Sequence, residues 1–213
     1  MLRTDRDNQI IEALACCVRL FSLQQLAESW WRESAEPTVP ARRRLSQLVS
    51  ARWLSESHVH AGPLLNLSRP MQTWAPGELA PDCERIARAL AQRWASSEPP
   101  ERLTVFVATK IAHREFGGPP KPKRLDALYA THDLNLATVY LHFRRHRPRD
   151  ADAWVGEDLR PKAGFRMKDP DAVLEYADGQ PDLVIELGGK YSRADIQAFH
   201  DDCDRRGRRY ELW

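Results

Sequence analysis

The stretch DAVLEYADGQPDLVIELGGK, from Asp171 to Lys190, decides how this chain is read. Two short runs of apolar and β-branched residues, VLEY and DLVIEL, flank the dipeptide Asp178-Gly179. That dipeptide tolerates the positive φ of a tight turn, so the spacing predicts a β-hairpin. An aspartate, Asp171, opens the first strand and a glutamate, Glu186, closes the second. Carboxylates brought side by side on a hairpin are costly unless protons, cations or a metal satisfy them. They are the sharpest chemical feature of the sequence.

Working outward, the chain has 213 residues, 42% hydrophobic and 29% charged, the composition of an ordinary folded protein with a proper core. No apolar run approaches the roughly 20 residues of a membrane span. The opening MLRTDRDNQIIEAL carries acids in an amphipathic pattern and reads as a helix rather than a signal peptide. Cys16, Cys17, Cys83 and Cys203 form no CxxC pair and no zinc spacing, which suits reduced thiols, a cytoplasmic setting and buried apolar roles. The net charge is only +2, but residues 101–150 hold ten Lys/Arg against five Asp/Glu, and residues 151–213 ten against fourteen. Such asymmetry fits a protein holding an anion near clustered acids, and it equally fits scattered surface charge.

The N-terminal third is helical. Residues 7–20 place Ile10, Ile11, Leu14, Cys17 and Val18 at helical spacing, and Ser22 with Gln25 forms a capping box for a second helix. A third helix begins near Thr38, with Pro40 in its first turn, and buries Leu45, Leu48, Val49 and Trp53. After it, two short apolar pieces broken at Gly62-Pro63 predict a hairpin. Three helices followed by a two-stranded wing is the plan of a winged helix-turn-helix domain. Its third helix would read the major groove of double-stranded DNA through Arg42, Arg43, Arg44 and Gln47. The competing reading of the same residues is a solvated basic face on a protein-interaction module.

Residues 82–96 form an amphipathic helix capped by Asp82, packing between lobes or at a homodimer contact. Residues 102–108 read as a strand, and GGPPKPKR as an exposed loop. A long helix runs from Leu125 to His146, with a break expected near Thr131–Asp133; the arginines at its end offset the helix dipole. A strand around AWVGEDL, the Asp171–Lys190 hairpin, a helix capped by Ser192 and closed by Gly207, and a final strand RRYELW complete the chain.

From Asp133 onward the order is helix, three strands, helix, strand, with Glu157, Asp171 and Glu186 on or beside the strands. This layout resembles the PD-(D/E)XK nuclease-like fold, with Pro170-Asp171 as the PD element and Glu186 as the following acid. The set His132-Asp133-Leu134, Trp154-Val155-Gly156-Glu157, Pro170-Asp171-Ala172 and Ile185-Glu186-Leu187, behind a winged helix, is similar to the replication-relaxation family of bacterial plasmids and integrative elements. The resemblance implies an α/β (α+β) protein with a winged helix over residues 1–78, a connecting helix and linker over 79–100, and a nuclease-like domain over 101–213.

The resemblance also sets two functional expectations. In an active nuclease, Glu157, Asp171 and Glu186 would hold Mg²⁺ and a lysine two residues after the acid would steady the attacking water. Here that position is Gly188, and Lys190 would serve only if the Gly188-Gly189 turn folded it back. The alternative keeps the fold without the reaction or any cofactor, the acids being partnered by Arg160, Arg166 or Lys168. This second expectation is favoured, and it describes a DNA-binding protein of a mobile element, acting in replication initiation, DNA relaxation or mobilisation beside a relaxase or replication proteins. A transcriptional regulator or antitoxin-like interaction protein would share the outline.

Overall fold

Short polar side chains, Thr4, Ser22, Asp82, Thr109 and Ser192, start five of the helices. The computed structural model describes residues 2–95, 98–121, 126, 128–160, 169–177, 180 and 182–213. Helix α1 (Asp5–Glu12) starts at Thr4, whose hydroxyl accepts from the Asp7 N–H while the Asp7 carboxylate accepts from the Thr4 N–H. It continues as a π-helical turn (Ala13–Cys17), so the first helix is displaced toward the N-terminus from the expected 7–20. After β1 (Phe21–Ser22), the Ser22–Gln25 capping box opens α2 (Leu23–Trp30), and α3 spans Thr38–Ser50.

The chain divides into two compact units, each built from two separated segments. The first takes Met1–Leu64 and Pro99–Leu141, the second Leu65–Glu98 and His142–Trp213. The unit boundaries thus fall at 64/65, 98/99 and 141/142, against the expected domain limits at 78 and 100. The structure also corrects the expected hairpin at Gly62-Pro63. Strand β2 (Leu54–Ala61) pairs antiparallel with β4 (Glu101–Ala108), from Leu54 opposite Ala108 to Ala61 opposite Glu101. The piece after Gly62 makes no ladder with β2, and β3 (Gln72–Trp74) pairs in the other sheet. Physically, RLTVFVA offers an uninterrupted run of donors and apolar side chains. Pro63 and Pro70 deprive the nearer segment of donors at both ends.

The first sheet has the order β1-β4-β2. One face buries Val59, Ala61 and Val105 against Leu20, Ala130 and Leu134. Helix α5 (Lys110–Phe116) follows β4, and α6 spans Ala130–His146 without the expected break, Thr131–Asp133 lying in its first turn.

The second sheet has the order β3-β8-β7-β6-β5. After α7 (Pro148–Asp152), β5 (Trp154–Gly156), β6 (Ala172–Leu174) and β7 (Leu183–Glu186) run antiparallel in turn. Helix α8 (Arg193–Arg205), capped by Ser192, then returns the chain to β8 (Arg209–Leu212), parallel to β7. The β6–β7 pairing is the one expected, with Ala172 opposite Ile185. Its Asp178-Gly179 turn lies outside the described residues. Strand β7 has neighbours on both sides and every residue buried, which is why it reads as a nearly continuous apolar run. Helix α4 (Cys83–Arg93) and α8 cover this sheet, packing Ile86, Leu90, Ile196 and Cys203 on Val173, Val184, Tyr210 and Leu212. All four cysteines are free thiols, and burial, with Asp202 and Glu186 nearby, pushes the Cys203 thiol up to about 12. Among the described residues no helix is long and apolar enough to cross a membrane.

One ion pair ties α3 to the start of the chain. Asp7 is fully buried, and the Arg44 guanidinium grips its carboxylate through Nε at 3.0 Å and Nη2 at 2.5 Å. Burial alone would raise the Asp7 carboxyl; the hydrogen bonds from Arg44 and Thr4 outweigh it and hold the carboxyl below its ordinary value of 3.8. A depressed carboxyl stabilises the fold above its unfolded pKa and loses that contribution as pH falls through the folded one. Arg44→Ala, which leaves the buried carboxylate without its cation, is expected to cost about 3 kcal/mol at neutral pH. The deficit should shrink in acid, below the ordinary carboxylate range. Urea unfolding at a series of pH values measures both; a pH-independent deficit would contradict this account.

Candidate functional site

The acids of the hairpin converge, and their oxygens are taken up by donors of the protein. Asp171 is 7% exposed and Glu186 fully buried. The Asp171 N–H donates to Glu186 Oε2 at 3.3 Å, and the Leu187 N–H donates to Asp171 Oδ2 at 2.8 Å. The Tyr191 hydroxyl donates to Glu186 Oε1. Glu157 follows β5 in a 3-10 turn (Glu157–Leu159), half-buried, with its N–H bonded to the Asp171 carbonyl at 3.0 Å. The backbone thus knits all three acid-bearing segments together. Buried carboxylates are tolerated when their oxygens accept hydrogen bonds in this way.

Lys190 is exposed. The Gly188-Gly189 bend does fold a side chain back onto Glu186, but the side chain is Tyr191. Arg160, one of the expected partners of the acids, pairs with Glu175 instead; Arg166 and Lys168 lie outside the described residues. Among the described residues no group of three His, Cys, Asp or Glu side chains gathers as metal ligands. Three of the four carboxylate oxygens of Asp171 and Glu186 accept from N–H and O–H groups, and the second position after the acid is Gly188 rather than a lysine.

Gly188 has a packing role. A Cβ built on it would lie 2.6 Å from Leu90 Cδ2 and 2.8 Å from Leu90 Cδ1, and Leu90 is itself fully buried. The Trp94 indole N–H donates to the Gly188 carbonyl at 2.6 Å, and the Gly188 N–H donates to the Trp213 carbonyl at 2.9 Å. The place where a catalytic lysine would project is filled by α4. The sequence places Leu90 and Trp94 on the apolar stripe of an amphipathic helix but not against Gly188, and it gives Tyr191 no role; the available signal was the Gly188-Gly189 pair directly after an apolar strand, since glycine can mark a close approach of another element.

The other expected motif residues serve the cores. Leu134 belongs to the core of the first unit, and buried Asp133 pairs with Arg19 at 3.2 Å. Trp154 packs edge-on against Phe143, 5.4 Å between centroids.

The third helix separates its four expected contact residues. Arg44 holds Asp7 and also donates to Gln47 Oε1 at 2.7 Å. Arg42 pairs with Glu56 of β2 at 2.7 Å. Arg43 and Gln47 are exposed, and with Val39, Ser46 and Ser50 they form a stripe along the outward side of α3. The inward side, Ala41, Leu45 and Leu48, is buried.

Gly188→Ala is expected to destabilise the protein by about 1–3 kcal/mol through overpacking, and Leu90→Ala by about 2–5 kcal/mol through the cavity it leaves. The double variant should lose clearly less than the sum, because the new methyl enters the space that Leu90 vacates. Denaturant unfolding of the four proteins gives the coupling; strict additivity would show that the two positions do not meet.

No family model, no curated protein and no solved structure matches this chain.

Proposed function

We propose that this protein binds double-stranded DNA through the outward face of α3, and that the acids of the second unit hold its fold together without cutting the DNA. The observation that carries the proposal is the division of labour on α3. Its inner side is apolar and buried, its flanking arginines are consumed by Glu56 and Asp7, and its outer side offers Arg43, Ser46, Gln47 and Ser50 to a partner. Arginine donates to guanine edges and phosphates, and glutamine donates to adenine, from a helix lying in the major groove. Because Arg44 engages the Gln47 carbonyl, the Gln47 amide nitrogen is the end left for a base or phosphate oxygen.

The order α1, β1, α2, α3, β2, β4 is compatible with a winged helix whose wing strands are separated in sequence by residues 62–100. The order α6, α7, β5, β6, β7, α8, β8, with β7 and β8 parallel and α7 a short turn of helix before the sheet, is compatible with a nuclease-like core. Together with the motif resemblance, these orders support a protein of the replication-relaxation type. It would act at an origin of a plasmid or integrative element, with a relaxase or replication protein supplying the chemistry. The Tyr191 and backbone donors on Glu186 and Asp171 favour the non-cleaving form of this reading over the Mg²⁺-dependent one.

The test must spare Arg44, because its loss damages the fold whatever the partner. Arg43→Ala with Gln47→Ala is expected to weaken duplex binding about tenfold or more and to lower the salt dependence, with thermal unfolding unchanged. The wild type should leave supercoiled DNA intact in Mg²⁺ or Mn²⁺. Equal duplex affinity of wild type and double variant across a salt titration refutes the interface.

A further inference from the structure

Helix α3 ends in a Schellman motif. The Trp53 N–H donates to the Leu48 carbonyl at 3.0 Å and the Arg52 N–H to the Val49 carbonyl at 2.9 Å. The motif puts Arg52 at φ 63, the only non-glycine residue with positive φ among the described residues. That conformation crowds a Cβ and is ordinarily given to glycine. The same chain follows the ordinary choice elsewhere. Gly117 ends α5 at φ 77, and Gly207 ends α8 at φ 63 through the equivalent pair of bonds, Arg208 N–H to Cys203 and Gly207 N–H to Asp204.

Arg52 is exposed, and its backbone is anchored: the Thr109 hydroxyl donates to its carbonyl at 2.7 Å. The Thr109 N–H also donates to the Trp53 carbonyl at 3.2 Å, which brings the exposed Lys110 beside the end of α3. Strained non-glycine positions that packing does not explain are where functional side chains concentrate.

From this we infer that Arg52, with Lys110 beside it, is a phosphate contact at the C-terminal end of α3. It would fix the register of the helix on the duplex while Arg43 and Gln47 face the bases. The inference rests on the DNA-binding reading above and extends it to a residue outside the helix. A guanidinium suits the task because it donates bidentately to phosphate oxygens and never loses its charge. Glycine would give the better helix end but would remove that donor.

The experiment compares the full-length wild type with Arg52→Gly, Arg52→Lys and Arg43→Ala, using a fluorescent duplex of mixed sequence titrated at several salt concentrations. Arg52→Gly is expected to melt a few degrees higher than wild type, yet bind the duplex several-fold more weakly. Its log–log salt slope should be smaller by about 1, the mark of one lost phosphate contact. Arg52→Lys should keep the slope. An Arg52→Gly protein that binds with wild-type affinity and slope overturns the inference; if Arg43→Ala still weakens binding, the α3 reading survives alone. Weaker binding together with a lower melting temperature assigns Arg52 to the fold and also overturns it. Absence of duplex binding by the wild type removes both.

Discussion

The contact between Leu90 and Gly188 is the constraint around which the second unit is arranged. The chain just past the end of β7 passes under α4, and Leu90 of the helix occupies the space that a side chain at position 188 would need. Once it is seated, the Trp94 indole closes on the Gly188 carbonyl, and the Gly188 N–H meets the carbonyl of Trp213 beyond the end of β8. Three segments far apart in sequence therefore meet at one backbone position. A lysine there would have to displace a fully buried leucine. The absent lysine and the close-packed helix are one structural fact, so the departure from a nuclease pattern needs no separate explanation.

The same logic accounts for the carboxylates. A buried acid is stabilised by cations and by hydrogen-bond donors that satisfy its oxygens. Asp7 has a guanidinium on both oxygens and lies at the start of a helix, where the dipole also favours negative charge. Glu186 and Asp171 are held by two backbone N–H groups and a tyrosine hydroxyl. The first arrangement fastens α1 to α3; the second fastens the start of β6 to the end of β7. Asp171 and Glu186 read in the sequence as a candidate metal site, whereas Asp7 showed there only as the first residue of a helical stretch; in the fold, each set of carboxylates joins separate segments of the chain.

What was legible in the sequence was what local physics decides. Ser22 with Gln25, Asp82 and Ser192 start helices because their side chains bond N–H groups only three residues away. The β6–β7 pairing was legible because a turn dipeptide joins two apolar runs. What was not legible depends on partners distant in sequence. β2 has the same alternation whichever strand it meets, so its pairing with β4 across an intervening segment was hidden, and Gly62-Pro63 looked like a turn when it only ends a strand. Arg42, Arg43 and Arg44 are indistinguishable as a string. Only folding brings Asp7, 37 positions away from Arg44, and Glu56, 14 positions away from Arg42, to claim two of them.

That subtraction matters for how such a surface can work. With a net charge of +2, the whole molecule generates little long-range attraction for a polyanion. Affinity would have to come from a few local cations whose charge is not already balanced, and the ion pairs of α3 show how few its run of arginines leaves. Arg42 and Arg44 set the helix in place, so replacing them changes binding and folding together. Arg43, near the middle of the helix, and Arg52, just past its C-terminal end, are exposed, and Arg52 holds its place in a backbone conformation that glycine would occupy with less strain. A surface made of isolated exposed arginines, each fixed by a framework of paired ones, gains geometric definition where it lacks charge. On such a surface the position of each cation contributes more to recognition than their number.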